Sequence, residues 1–581
     1  MRFWWGLLLM VCAQVAVAQA PARHEGMPIY LYESVYTAHL LKAQEQDYGL
    51  TLGRWRKYLK RYGPDQRGLS RAELLAQPEP GVLVLPGVQV LDTQERAAIE
   101  QFVQRGGSLW GTGRIGTRAE DGADRGFSYL EQRFRVRVLT QDVEPMDWYL
   151  MPFGDGPLSW PIAAGRRMLV GDSRSPDLLR VQSEHLAAVY MDWDRTNTPE
   201  VGVQGAMAFD ERGPGRTVYF AFSEPAWNYH KQADWNALLD ATMAWLRRVP
   251  RAYLAAWPMG RQAAHLLEMD TEDKFFSAPS LADQLERIGA RGTFYCLTSV
   301  ARQHPDIVRD LLRRGHEIAY HADVHFGFRG LDVQEQDMRI QNMKAQMVRI
   351  LGEDAVQATG FRAPTESYDT RTEVLLRKYG ILHHAADPSA TEDRLPFFSA
   401  SEPGLGPQEA LVVLPRTQLD DINFFLLRLS PEQILKTVNS DLDLAVMMGA
   451  LDLLSVHSQT NVEGGLMRSV MGPYVEHVAS YGDRIWVARG DDIAQWWRRR
   501  ASVQVRAVPD RQSVRVSLHA PDAKAWPGVT VMVSNPVQGV LPGVSLVEGK
   551  GVRWQVKPVD VFRTAIVVES AASDFQLAIR F

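Results

Sequence analysis

Between about Arg251 and Arg500 the chain repeats one pattern: a short apolar run, a polar or charged residue at its end, then a helix-like stretch. The runs are "GTFYCLTS" (Gly292 to Ser299), "HEIAYH" (His316 to His321), "QATGFRAP" (Gln357 to Pro364), "ILHHAA" (Ile381 to Ala386), "LDLLSVH" (Leu451 to His457) and "RIWVA" (Arg484 to Ala488). Short apolar runs alternating with helical segments read as strands of a parallel sheet. "PDIVRDLLRRG" (Pro305 to Gly315) is one such intervening helix, with a glycine stop. The pattern predicts an α/β fold, a distorted (β/α) barrel whose strand ends converge on the face where active sites are built.

At 581 residues the chain exceeds what one core organises. The region 28–250 also alternates strand-like and helix-like pieces. "GVLVLP" (Gly81 to Pro86) suits a buried parallel strand. Asp92 and Glu95 form a capping-box pattern ahead of a helix carrying Ile99, Phe102 and Val103. Residues 501–581 hold short alternating runs such as "SVQVRAV" and "SVRVSLHA", the pattern of a small antiparallel β domain. The expected boundaries are therefore 28–250, 251–500 and 501–581.

"MRFWWGLLLMVCAQVAVAQA" has one basic residue, an apolar run from Phe3 to Ala13 and "AVA" ahead of a cut after Ala18. This predicts a signal peptide, residues 1–18, and an exported protein, periplasmic or secreted. No later stretch has the length and apolarity of a membrane span, so stable membrane insertion is not expected. Processing would remove Cys12 and leave Cys296 as the single thiol, without an internal disulfide. A net charge of −5 at this length argues against nucleic-acid binding.

"HEIAYHADVH" (His316 to His325) places three of the chain's 14 histidines within ten residues. The stretch follows a strand and lacks helical periodicity, and a loop after a strand can bring His321 and His325 onto one ion. "LLEMDTED" (Leu266 to Asp273) ends another strand with four acidic residues in six positions, "GFRAP" supplies an arginine, and "LLSVH" supplies a further histidine. Two histidines and a carboxylate make an open zinc site with room for water. A separate carboxylate base, an arginine to orient it and a histidine acid complete a hydrolase.

The region from about His265 to Arg500 resembles the polysaccharide deacetylase family, metal-dependent enzymes that remove acetyl groups from N-acetylated sugars. Four motifs occur in order. "EMDTED" stands for the acidic motif, commonly Thr-Phe-Asp-Asp, and "HADVH" for His-Ser/Thr-x-x-His. "RAPT" stands for Arg-x-Pro-Tyr and "SVH" for Leu-x-His. The flanking "GHEIAYH" and "IWVARGDDIAQWW" are also similar to the family. The region 28–250 more loosely resembles class I glutamine-amidotransferase-like, flavodoxin-like domains, through its "VLVLP…GGSLWGTG" rhythm. The catalytic cysteine of true amidotransferases has no counterpart there, which leaves a structural or ligand-positioning role.

The deacetylase resemblance implies Asp270 as general base and His321 and His325 as ligands of a divalent ion, preferentially Zn²⁺. The third ligand is either Glu272, by spacing, or Asp273, by residue type. Arg362 would hold Asp270 ionised and aimed, the Thr365 N–H would face the oxyanion, and His457 would protonate the leaving amine. Asp387, in "AADPSA", would pair with His457. Ala322 stands for the usual Ser/Thr, Thr365 for the tyrosine, and Ser455 for a leucine that lines the acetate pocket, which leaves acyl specificity open. His316, His383 and His384 have no motif partner and are expected to be structural, and Trp496 and Trp497 are expected in the core. The implied substrate is an N-acetylhexosamine-containing polysaccharide or oligosaccharide. The alternatives are a non-catalytic carbohydrate-binding relic and an amidase on a peptidoglycan-derived or non-carbohydrate amide.

Overall fold

The computed structural model describes residues 27–139, 148–172, 178–194, 196–387, 389–416, 418–510 and 512–581. The expected signal peptide, with Cys12, lies outside them. Among the described residues no helix is long and apolar enough to cross a membrane.

The N-terminal region is built on an 11-stranded sheet. Five of its strands are parallel, in the order Gln66–Leu69, Ile29–Tyr32, Val82–Leu85, Ser108–Thr112 and Gly215–Phe220. The central ones are fully buried, as expected of apolar runs covered on both faces. Antiparallel strands, among them Gly205–Arg212, Leu186–Met191 and Tyr149–Pro152, extend the sheet. The predicted capping box is present at Asp92 and Glu95 and opens the helix Thr93–Gln104.

The central region forms a nine-stranded sheet. Its parallel order runs Val412–Pro415, His383–Ala386, Gly360–Arg362, Glu317–Tyr320, Thr293–Cys296, Ala263–Thr271 and Leu451–His457. Ile485–Val487 pairs beside Ala263–His265, and Phe397–Phe398 adds an antiparallel edge. Among the described residues no ladder joins Val412–Pro415 to Leu451–His457, so the expected barrel is an open curl. Helices such as Pro305–Arg313 and Val333–Leu351 pack outside it and bury Leu311, Ile340 and Met347 against the sheet. Cys296 sits within its strand, buried, and burial pushes its thiol up to about 12.

The C-terminal region contains two four-stranded antiparallel sheets. One takes its edge strand from far upstream: Arg251–Leu254 pairs with Thr530–Ser534. The boundary expected at residue 251 therefore shifts, because this segment completes the C-terminal sheet rather than opening the barrel. The two regions share one apolar core. Leu266, Val412, Leu414 and Leu453 of the curled sheet pack with Trp257, Trp496, Trp526, Val514 and Leu577. The expectation for Trp496 and Trp497 is met in that core, where both are buried.

Candidate catalytic and metal site

The carboxyl ends of the curled sheet gather the groups. Alternation along Ala263–Thr271 sends Glu268 and Asp270 to one side of the strand. The register sets Asp270 opposite His457 and Glu268 opposite Ser455. Arg362, at the end of its short strand, reaches across to them. Its Nε lies 2.9 Å from Asp270 Oδ2, and Nη1 bonds Glu268. Nη2 donates to Glu366 Oε1 at 3.1 Å. Burial alone would weaken this guanidinium as a cation, but Asp270, Glu268 and Glu366 hold it well above its ordinary range.

His321 follows the strand Glu317–Tyr320, and Ala322 next to it adopts a left-handed φ of 72° although fully buried. An alanine there stores strain that the surroundings must hold. The holding comes from the backbone, where Thr298 N–H donates to Ala322 O and Ser299 N–H to Asp323 O. It comes also from Arg339, which grips Asp323 Oδ1 at 2.9 Å, Gly327 O and Phe326 O at 2.8 Å and Val324 O at 3.0 Å. This bend brings His321 and His325 together, with ring centroids 5.5 Å apart.

Both imidazoles meet one carboxylate. Glu272 Oε1 lies 3.1 Å from His321 Nε2 and 2.8 Å from His325 Nε2. Gln459 Nε2 donates to Glu272 Oε2 at 2.9 Å. Among the described residues this trio is the group whose donor atoms all fall within 4.8 Å of one another. Of the two open candidates, Glu272 is brought to the histidines and Asp273 is exposed. Ser458 explains the difference: its hydroxyl accepts from Glu272 N–H at 3.0 Å and donates to Asp273 O at 2.6 Å, which fixes the turn with Asp273 outward.

The donor set suits a divalent cation. Arg362 O, which can only accept, lies 3.0 Å from His321 Nδ1, so that nitrogen carries a proton and Nε2 is the ring atom turned to Glu272. Nε2 of each ring faces the same Glu272 oxygen, where a proton or a cation can bridge imidazole and carboxylate. Burial would raise the Glu272 carboxyl, yet its hydrogen bonds with the two histidines pull it well below the usual range.

His457 ends the strand Leu451–His457, with Nε2 3.7 Å from Asp270 Oδ2. The expected pairing with Asp387 is not what forms. Nδ1 lies 2.7 Å from Asp421 Oδ1, and Asp421 Oδ2 also accepts from the His457 N–H at 2.6 Å and from Thr460 Oγ1. Asp421 is fully buried at the start of the helix Asp421–Leu426, whose N-cap is Asp420. Asp387 instead accepts from Ser389 N–H at 2.8 Å and from the Ser389 hydroxyl, a local turn. Burial works against the His457 cation, but Asp421 dominates and raises it to about 9.

Thr365 is exposed and left-handed, with φ 54°. The three histidines expected to be structural are tied to carboxylates: His316 to Glu286 at 3.1 Å, His383 to Glu317 at 2.8 Å, and His384 to Glu373 at 3.0 Å. Sequence reasoning assigned no role to Asp421, Arg339, Glu268 or Gln459. Only Glu268 carried a local signal, its place two residues before Asp270.

Residues 273–383 match the family model described as "Polysaccharide deacetylase". The match takes in His321, His325 and Arg362 and stops short of Asp270, Glu272 and His457. The chain thus carries a polysaccharide deacetylase domain, and its enzyme class is that of a deacetylase hydrolase. Among solved structures it is similar to a Mycobacterium smegmatis protein described as a polysaccharide deacetylase, at 22% identity and TM-score 0.36, over 42% of this chain and 93% of the other. A family 4 carbohydrate esterase from Streptomyces lividans matches at 17% identity and TM-score 0.27, over 39% and 91%. Agd3, described as a novel carbohydrate deacetylase, matches at 10% identity and TM-score 0.42, over 96% and 99%.

Proposed function

We propose that this protein is an exported, metal-dependent hydrolase that removes N-acetyl groups from an N-acetylhexosamine-containing polysaccharide. One observation carries this: a base, an acid with its own carboxylate partner, and a two-histidine, one-carboxylate cluster meet at the carboxyl ends of one sheet. Glu272, His321 and His325 would hold the ion, with Zn²⁺ the best fit to two imidazoles and one carboxylate. When bound, it supplies Lewis-acid polarisation of the acetamide carbonyl.

The chain's own groups do the rest. Asp270, held by Arg362 Nε at 2.9 Å, takes a proton from the attacking water. His457, protonated through Asp421, gives a proton to the departing amine as the C–N bond breaks. The left-handed backbone at Thr365 follows Arg362 directly enough to offer its N–H to the developing oxyanion. The five-strand parallel order of the N-terminal region agrees with a flavodoxin-like, glutamine-amidotransferase-like domain, for which we infer a ligand-positioning role without catalysis. The deciding experiment is acetate release from defined N-acetylhexosamine oligomers, with peptide amides alongside. Release from the oligomers alone supports the proposal. Release from peptide amides alone would replace it with an amidase.

A further inference from the structure

Glu268 is completely buried, yet the catalytic scheme above gives it nothing to do. It lies in the layer of side chains beneath Asp270 and His457, beside Ser455, the position where the family resemblance placed an apolar acetate-pocket residue. Its carboxylate takes the Nη1 end of Arg362, while Nε of the same guanidinium points at Asp270. A guanidinium is a rigid planar fork, so fixing one end fixes the aim of the other. Arg362 also has a second task. Its carbonyl receives the Nδ1 proton of His321 at 3.0 Å and so sets that imidazole's tautomer and tilt.

We propose that Glu268 is a positioning residue of the deacetylation site, anchoring Arg362 so that one arginine aims the base with its side chain and a metal-binding histidine with its backbone. This rests on the function proposed above. Three further observations agree with it. Arg362 bonds with Glu366 at its Nη2 end, and Glu366 is itself held by Arg416 at 2.8 and 2.9 Å, so the fork is gripped at each end. Ser455 stands opposite Glu268 in the register and, with Tyr295, adds polar company to the buried carboxyl beside Arg362. Burial raises Glu268 to about 7, with Arg362 opposing, so its role near neutral pH is that of a hydrogen-bond acceptor as much as a charge.

The test compares side chains that keep or lose that acceptor. Glu268→Gln keeps length and acceptor, Glu268→Met keeps length alone, and Glu268→Asp keeps charge but cannot reach. Each is assayed at saturating metal for kcat and KM on N-acetylhexosamine oligomers, and separately for Zn²⁺ affinity against a competing chelator. Glu268→Gln should stay within about threefold of the wild type. Glu268→Met and Glu268→Asp should each lose about 10- to 100-fold in kcat, with KM little changed, and should bind Zn²⁺ more weakly. Should Glu268→Met fail to fold, the smaller and still charged Glu268→Asp carries the comparison. In an Arg362→Lys background the substitutions at 268 should add no further loss, because Glu268 acts only through the arginine. Full kcat and full Zn²⁺ affinity in both Glu268→Met and Glu268→Asp, or additive losses in the double variants, would overturn the proposal. A wild type that releases no acetate would instead defeat the functional assignment, and the Zn²⁺ comparison would still judge the anchor.

Discussion

Replacing Asp421 by asparagine tests the most consequential contact in the site. The substitution keeps the shape of a residue that bonds His457 Nδ1 at 2.7 Å and removes its charge. In the native fold His457 is raised from its ordinary 6.5 to about 9. Such a difference is worth roughly 3 kcal/mol in favour of the protonated ring. Burial pulls the other way, and Asp421 leads the groups that oppose it, ahead of Asp270 and Glu272. Without the Asp421 charge, His457 should lose its proton below or near neutrality and fail as an acid. Steady-state acetate release from N-acetylglucosamine oligomers at pH 7.5 should then drop by about 100-fold or more. Hydrolysis of an activated aryl acetate, whose leaving group needs little protonation, should fall far less. The wild-type amide rate should hold toward pH 9 and decline above it, whereas the variant should decline at lower pH. The sign for stability is fixed by the same shift. Because the folded value exceeds the unfolded one, the contribution is complete below about 6.5 and is lost as pH rises through about 9. Equal damage to both substrates, or retention of more than half the amide activity by a folded variant, would refute the reasoning.

Five other substitutions probe the remaining assignments. His321→Ala and His325→Ala should each abolish bound divalent metal by elemental analysis, while Asp387→Asn should leave metal and rate near wild type because its carboxylate bonds Ser389 and the partner of His457 is Asp421. Asp270→Asn should retain metal and lose at least ~100-fold in kcat. Gly360→Ala should lower stability by about 1–3 kcal/mol in chemical denaturation, since its Cβ would stand 2.6 Å from His383 Nε2 and 2.7 Å from Glu317 Oε1.

What the sequence disclosed follows the range of the interactions involved. The parallel strands and the groups at their ends were legible because each strand is a local apolar run with its functional residue attached. Asp270, Arg362, His321, His325 and His457 all sit at or just past such ends. Asp421 was not legible, since it lies on a helix start 36 residues before His457 and no spacing rule links them. Asp387 had the better local credentials, at the close of a strand, but its carboxylate satisfies its own turn instead. The choice between Glu272 and Asp273 depended on Ser458, more than 180 residues away. Arg339 is a surface-type residue on an outer helix by pattern, and only its burial against the bend at Ala322 reveals its task. The open edge of the curl was likewise invisible, because ladder closure is a property of two strands and not of either run.

The pairing of Arg251–Leu254 with Thr530–Ser534 governs how this molecule can be made. Arg251 and Ser534 are 283 positions apart, so the edge strand emerges long before its partner exists. The entropy of closing so large a loop grows only logarithmically, but contacts of such separation form slowly. Until they form, a strand edge stands unpaired, and the apolar base made by Leu266, Leu453, Val412 and Leu414 lacks its cover from Val514 and Leu577. Both are templates for self-association in a nascent chain. A fragment ending near residue 500 would contain every catalytic group and still carry that exposed edge and base, and it should aggregate where the full chain stays dispersed.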